Sequence, residues 1–568
     1  MSNLPKAGLA CVCGVLLLMS AFQCDAQAED GDETLRALLG QVDMRLYEQS
    51  KADIRAWLDA RIDAAGYVGM YDFWSQRISP RNDSVRVDLN RGLFADTAAQ
   101  FLRAYEMLGD KKYLEAGLKT ADVYLKAQQP YGNFPAGVTV YRDGRVKAGG
   151  GKHAPHVARM EDGYQFRPFC LLLYAHQLTG EKKYLDAALK HGEFISLRMI
   201  HPEWGWCPDH FDAKNTKPYS ERKTGHDTKG VSGGGSYSDY ATTDGFRTAV
   251  FMYHLTGDEK YLKRARNVGK WIFATQLGKG KVRGWGDNYD AKNQPVHARS
   301  YEGTQIDPRN WNRFVGPLLV WLYGITGEAK YRTLFEESAA WMLSVEQPGG
   351  WAYEYTHDGR PCATLNHKLY LYSEADRWPN NAKPRYSHGK VQMEDSKLIL
   401  STLKQGGREA LRERFRGPTR YNDEQYLKAR IEAAKRCTDE DLLVKLQPLE
   451  AGDGSWIAGG KYVMGKFHER VRMRLARPDA KLPGRGIAGR SGLCRQAWDA
   501  WRAYGWTQWQ FVWDVSLALG EIDADAAAKG GLGLESERFA DPWDMMWHWE
   551  SRCIDVEDWL DIPLEQTQ

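Results

Sequence analysis

Cysteine is scarce. The chain of 568 residues has nine, and three of these, Cys11, Cys13 and Cys24, fall in the first 28 positions. The other six, Cys170, Cys207, Cys362, Cys437, Cys494 and Cys553, form no C-x-x-C pair, which removes a cysteine-rich zinc site. Their wide spacing excludes a small disulfide scaffold; buried thiols and one or two bridges both stay open. No G-x-x-x-x-G-K-[ST] and no H-E-x-x-H occurs, so P-loop and zincin chemistry have no motif. Charge of one sign is also missing. With 77 Lys and Arg against 74 Asp and Glu the net charge is +3, and the basic residues are scattered, which does not favour nucleic acid. Beyond Phe22 no apolar run is long enough to span a bilayer.

The N-terminus carries Lys6, an apolar run to Phe22 and an Ala26-Gln27-Ala28 cleavage pattern. This reads as a secretory signal, residues 1–28, cut after Ala28. A lipidated Cys24 is disfavoured by the bulk of Gln23 before it. The mature protein is expected to be soluble and exported to the periplasm or the medium, with no membrane partner.

What the chain does have is a repeat. LRAYEMLGDKKYLEAGL, LLYAHQLTGEKKYLDAAL, VFMYHLTGDEKYLKRAR and VWLYGITGEAKYRTLF share a pattern, with Gly109, Gly180, Gly257 and Gly327 spaced by 71, 77 and 70 residues. An apolar helix, a Gly turn with an acidic residue and a second helix with a Tyr make an αα-hairpin. Gly suits the left-handed end of the first helix, and Asp or Glu the start of the second. The period exceeds the ~34–47 residues of ordinary helical solenoids; the excess lies in long loops. Gly-aromatic turns follow the second helices, at Gly132-Asn133-Phe134, Gly205-Trp206, Gly284-Trp285 and Gly350-Trp351. Repeated hairpins with long loops on one side predict an all-α fold, an (α/α) toroid over residues 29–405, with a helical, Trp-rich extension over 406–568. An open superhelix is the alternative.

The loops hold the chemistry. Gly230-Val231-Ser232-Gly233-Gly234 fits G-x-S-x-G formally but lacks the strand-turn-helix setting of a nucleophile elbow. Asp239 lies among hydroxyls ahead of the third hairpin, and Asp244 reads as a helix cap. One hairpin later come Trp285, Asp287, Asn288, Tyr289, Asp290, His297, Arg299, Tyr301 and Glu302. Loops of successive hairpins stand side by side, so Asp239, Asp290 and Glu302 are expected to converge. Three carboxylates together need protons, partners or a cation, and oxygen ligands favour Ca²⁺. An Arg299–Glu302 surface ion pair is the plainer reading.

The W-x-x-[QN]-x-D and P-V-x-A-R-x-Y-E patterns stand at Trp285, Asn288, Asp290, Pro295, Ala298, Arg299, Tyr301 and Glu302. With Asp239-Tyr240-Ala241-Thr242-Thr243, Trp351-Ala352-Tyr353-Glu354-Tyr355 and Gly359-Arg360-Pro361, the stretch from about 230 to 361 resembles the family 10 polysaccharide lyases, the pectic acid lyases. The resemblance implies an (α/α) toroid and calcium-assisted β-elimination of an acidic, pectate-like polysaccharide. It implies that Asp239 and Asp290 are cation and catalytic carboxylates and that Arg360 is the base, with Arg299 beside them. Tyr240 and Tyr353 depart from the family pattern. From the residues themselves Lys368, His297, His367 and Tyr301 are rival bases, and Trp285, Trp206 and Trp351 are candidate platforms for sugar rings. Two other readings stand beside the lyase. One is a glycoside hydrolase on the same frame with Asp162 and Asp244 as its carboxylates; the other is a glycan-binding protein without turnover. The sequence implies no oligomeric state.

Overall fold

The Gly turns set the helical frame. In the computed structural model Gly109, Gly180, Gly257 and Gly327 have φ of 68–70°, and each donates its N–H to the carbonyl four residues back, at 2.7–2.8 Å. That closes the first helix of each pair and satisfies one of its orphan carbonyls. Asp110 and Asp258 open the following helices by accepting from Lys112 N at 3.1 Å and Lys260 N at 3.0 Å. The structure describes residues 44–59, 83–89, 93–149, 154–160, 163–219, 233–348, 350–379 and 382–386, with a few isolated positions elsewhere. The expected signal segment and nearly all of 406–568 lie outside them.

The chain divides into two units. One includes helix α1 (Met44–Asp59), whose Tyr47 hydroxyl shares a 2.7 Å hydrogen bond with Ser516. The other, Ala60–Arg416 with two later segments, holds the repeat. The N-terminal helix, expected within the toroid, thus groups with later chain instead.

Four hairpins follow in the repeat unit. They pair α2 (Leu93–Leu108) with α3 (Lys111–Ala127), α4 (Phe166–Thr179) with α5 (Lys182–Glu193), α6 (Ala241–Thr256) with α7 (Glu259–Ala274), and α8 (Gly316–Thr326) with α9 (Ala329–Ser344). The first members are buried all round: α4 is buried from Phe166 to His176 and α6 from Ala241 to Met252. The second members bury one stripe, as in Tyr261, Leu262, Ala265, Val268 and Ile272 of α7, the spacing of an amphipathic helix on a surface. The first members form an inner row, with α2 on α4, α4 on α6, and Phe246 of α6 stacked on Trp321 of α8 at 5.5 Å. This is the inner and outer layering expected of an (α/α) fold; closure into a ring lies outside the described residues.

The all-α expectation needs correction. The loops between hairpins fold into small antiparallel sheets, because segments of this length cannot leave their backbone N–H and C=O groups unpaired. Three three-stranded sheets are built from β1 (Ser84–Asp88), β2 (Gly137–Tyr141) and β3 (Val146–Ala148), from β4 (Val157–Arg159), β5 (His210–Asp212) and β6 (Lys217–Pro218), and from β7 (Gly233–Ser236), β8 (Asn288–Asp290) and β9 (Pro295–Val296). A fourth follows α9, from β10 (Glu354–Tyr355), β11 (Pro361–Leu365) and β12 (Lys368–Leu371). Gly233 and Gly234 of the G-x-S-x-G stretch are strand residues, and a Cβ on Gly234 would strike the Asp290 backbone. These glycines serve close strand pairing.

Candidate functional site

Strand β7 delivers the chain to a strained turn. Asp239 and Tyr240 both adopt left-handed conformations, φ 52° and 71°. Two such residues in succession without glycine, one of them a bulky aromatic, carry a cost that the surroundings must offset. Part of the support is visible. Tyr237 N donates to Asp287 O at 3.0 Å, and the Tyr240 ring meets Phe314 edge-on at 4.7 Å.

The strained turn faces Arg299. The guanidinium Nη2 donates to Asp239 Oδ2 at 2.9 Å and also pairs with Glu302. The Arg299 and Asp239 side chains are 18 and 27% exposed, that of Glu302 only 1%. Burial opposes the charge on Arg299, but Asp239 and Glu302 more than offset this and hold it firmly protonated. The pair read from sequence as a surface bridge is therefore a largely buried triad. Its outer wall is Tyr301, half exposed, with the guanidinium 5.0 Å from its ring centre.

A second guanidinium lies alongside. Asp307 caps the helical turn Pro308–Asn310, accepting from Arg309 N at 2.7 Å. Arg309 Nη2 reaches Asp307 Oδ2 at 2.7 Å and Asp287 Oδ1 at 3.4 Å, and Asn310 donates to that same Asp287 oxygen at 2.7 Å. Burial pushes the Asp287 carboxyl well above the usual carboxylate range; Asp307 adds to this while Arg309 opposes it. Four carboxyls, Asp239, Glu302, Asp287 and Asp307, share two guanidinium groups. Beneath the Arg299 turn, Glu354 is buried. Burial lifts its carboxyl to about 7, Asp307 adds to the rise, and hydrogen bonds from Thr364 and Gly303 work against it.

The structure brings Asp239, Arg299, Glu302 and Tyr301 together. It also gathers the rival bases: His367 N donates to Ser300 O at 2.8 Å, the His297 and His367 rings are 6.3 Å apart, and Lys368 follows on the exposed start of β12.

Other expectations are corrected. Asp290 stands at the far end of the β7–β8 pairing, opposite Gly233, and its Oδ1 accepts from Lys292 N at 2.8 Å and Gln294 N at 2.9 Å. It closes its own turn. Arg360 pairs with Asp358 at 3.0 Å on the surface, side chains 60 and 52% exposed, and not with Asp239, Arg299 or Glu302. Trp285 and Trp351 are fully buried, their indole N–H groups donating to Ile272 O at 2.8 Å and Met342 O at 2.9 Å. Trp206 is buried on His201 at 4.6 Å. None of the three offers a face to a sugar. Asp244 is fully buried in the first turn of α6, and Asp162 lies outside the described residues.

The three expected calcium ligands do not fit one ion. Arg299 already fills the place between Asp239 and Glu302, and Asp290 is turned to its own backbone. Among the described residues no group of three or more His, Cys, Asp or Glu is arranged to hold a metal. The sequence pattern did not single out Asp307, Arg309 and Asn310, and it named Asp287 and Glu354 without giving either a role. The Asp-Pro-Arg-Asn start of a helix was a legible cap signal, but nothing local announced its link to Asp287.

No protein-family profile matches the sequence, and no curated protein matches it. Solved structures with some likeness are carbohydrate-active enzymes. A family 10 polysaccharide lyase variant from Cellvibrio cellulosa, in complex with trigalacturonic acid, is 17% identical over 49% of this chain and 88% of that one, with a TM-score of 0.32. An α-mannanase from Bacteroides thetaiotaomicron is 10% identical over 85% of this chain and 99% of that one, at 0.39. A cellobiose 2-epimerase from Bacillus thermoamylovorans is 10% identical over 66% and 87%, at 0.35. Likenesses this slight carry no argument about the reaction.

Proposed function

We propose that the chain is a glycan-processing enzyme, and that its reaction is β-elimination on a uronate-containing polysaccharide. The observation that carries this is the Arg299 triad: a guanidinium fixed by Asp239 and Glu302 beside the exposed ring of Tyr301. A uronate C5 proton is weakly acidic while the neighbouring carboxylate is negative. A guanidinium on that carboxylate stabilises the enolate-like charge that develops as the proton leaves. The proton passes to a base on the rim, for which Tyr301, His297 and His367 are the available groups. The C4–O bond breaks as the C4–C5 double bond forms, and the departing oxygen takes up a proton. Calcium has no place in this scheme, since the expected ligands do not fit it. The N-terminal pattern supports export, so the polymer is met outside the cytoplasm.

Incubation with a panel of uronate polymers, with and without a chelator, tests the reading. Ultraviolet absorbance from the new double bond should rise in both, and Arg299→Met should abolish it while Arg360→Met retains it. Release of saturated sugars instead would show a hydrolase. Loss of product on chelation would restore the metal to the scheme.

A further inference from the structure

We propose that Glu354 is a positioning residue for the Arg299 clamp, holding the turn from Arg299 to Gly303 through the Gly303 amide. The role rests on the reading of that turn as the place where the substrate carboxylate binds.

The turn is closed within itself by Glu302 N donating to Arg299 O at 3.0 Å and Arg299 N to Glu302 Oε2 at 3.3 Å. Its backbone is pinned to the rest of the unit by His367 N donating to Ser300 O at 2.8 Å and at two further points. The first is a backbone exchange between Ile306 and Tyr355, at 2.9 and 2.8 Å. The second is Glu354: its Oε1 accepts from Gly303 N at 3.0 Å and its Oε2 from Thr364 Oγ1 at 2.6 Å. Gly303 sits so close to Thr364 and Glu354 that a Cβ would not fit. The carboxyl thus links β11, through Thr364, to the peptide that follows Glu302. Without it the Ile306 pairing and the Ser300 contact survive, and the Glu302–Gly303 end of the turn loses its anchor.

Both Glu354 oxygens act as acceptors. An ionised carboxylate accepts more strongly than a protonated one, roughly twofold in bond strength. The groups facing it are Thr364 and Cys362 from β11, Gly303 from the turn and Asp307 from the helix start. Burial raises the Cys362 thiol, which stays neutral, so Asp307 is the charge that Glu354 meets. Burial outweighs that gain and lifts the Glu354 carboxyl to about 7, so the closed turn holds the proton more firmly than an opened one and the anchor should loosen as pH rises towards neutrality.

Hydrogen exchange of the whole protein, read over 299–305, tests this apart from activity. Exchange in Glu354→Ala should quicken at least about tenfold there, with the Ile306–Tyr355 pairing still protected. Glu354→Gln, whose amide oxygen accepts from Gly303 and whose amide nitrogen donates to Thr364, should restore protection. After correction for intrinsic chemistry, wild-type protection should fall between about pH 5 and 7, while Glu354→Gln stays level. Should Glu354→Ala fail to fold, the comparison of wild type with Glu354→Gln decides alone. Equal pH dependence in those two, or wild-type protection in Glu354→Ala, overturns the proposal. On a uronate polymer the same logic predicts a lowered kcat for Glu354→Ala with kcat returning in Glu354→Gln. Absence of turnover in wild type with the exchange result intact would remove the lyase reading and leave the anchor.

Discussion

At the scale of single residues the site is an exercise in charge sharing. Arg299 compensates Glu302, which has almost no access to water, and Asp239, held in a strained conformation. Removing one partner of a buried pair is costly because the other charge is left without compensation, about 3–5 kcal/mol. Arg299→Met should therefore lower stability by that order in chemical denaturation, and adding Glu302→Gln should recover much of the loss. Arg360→Met should leave the denaturation midpoint unchanged, since its ion pair with Asp358 is open to solvent. If both variants unfold at the wild-type midpoint, the Arg299 triad is not the fixed unit described above. The residues that carry the site were only partly legible. Arg299, Tyr301 and Glu302 stood out through the crowding of polar types in one loop, and Asp239 through its hydroxyl neighbours in the loop one hairpin earlier. Glu354 and Asp287 were visible but without a role, because burial and a partner 51 residues away for Glu354, or 22 and 23 for Asp287, give a carboxyl its meaning, and sequence shows neither.

At the scale of elements, repetition was the better guide to structure and the worse guide to function. The Gly-Trp turns were read as possible sugar platforms, yet their recurrence at equivalent positions signals a shared structural task. In Trp285 and Trp351 the indole caps a carbonyl near the end of the preceding outer helix. In each case a Tyr four residues on completes the device. Tyr289 OH lies between Thr275 O at 3.0 Å and Gly286 N at 2.7 Å, and Tyr355 OH between Val345 O and Ala352 N, both at 3.2 Å. Part of the W-x-x-N-x-D likeness is thus a helix-ending motif. Glycine shows the same division of labour. Gly109 has φ 68° with open space where a Cβ would point, whereas at Gly205, φ 75°, a Cβ would run into the Val268 backbone. Gly109→Ala should cost about 1–2 kcal/mol, the left-handed penalty alone. Gly205→Ala adds a packing conflict of about 1–3 kcal/mol. The difference should appear as a clearly lower thermal midpoint for Gly205→Ala. Equal midpoints would mean that the Gly205 turn yields without disturbing α7.

At the scale of the whole molecule, the periodic Gly turns made the four hairpins readable, since a left-handed cap and a following acidic residue leave a local trace. The small sheets left none. Their strands are two to five residues long, too short for alternation to register against loop composition, and their pairing is settled by which loops the helical frame sets side by side. The same frame bears on how an acidic polymer is recognised. Positive and negative residues nearly balance, 77 against 74, and the two guanidinium groups of the site already face carboxyls. Long-range steering is then weak, and recognition depends on contacts within a few ångströms of Arg299, inside the ~10 Å over which salt at 0.1 M screens. On this account kcat/KM for a uronate polymer should fall only a few-fold between about 10 and 150 mM salt. Strongly steered association gains 10–10³-fold in rate and loses it steeply with salt. A fall of that size would reveal a basic surface elsewhere on the chain that draws the polymer in, and the site would then be its second point of contact.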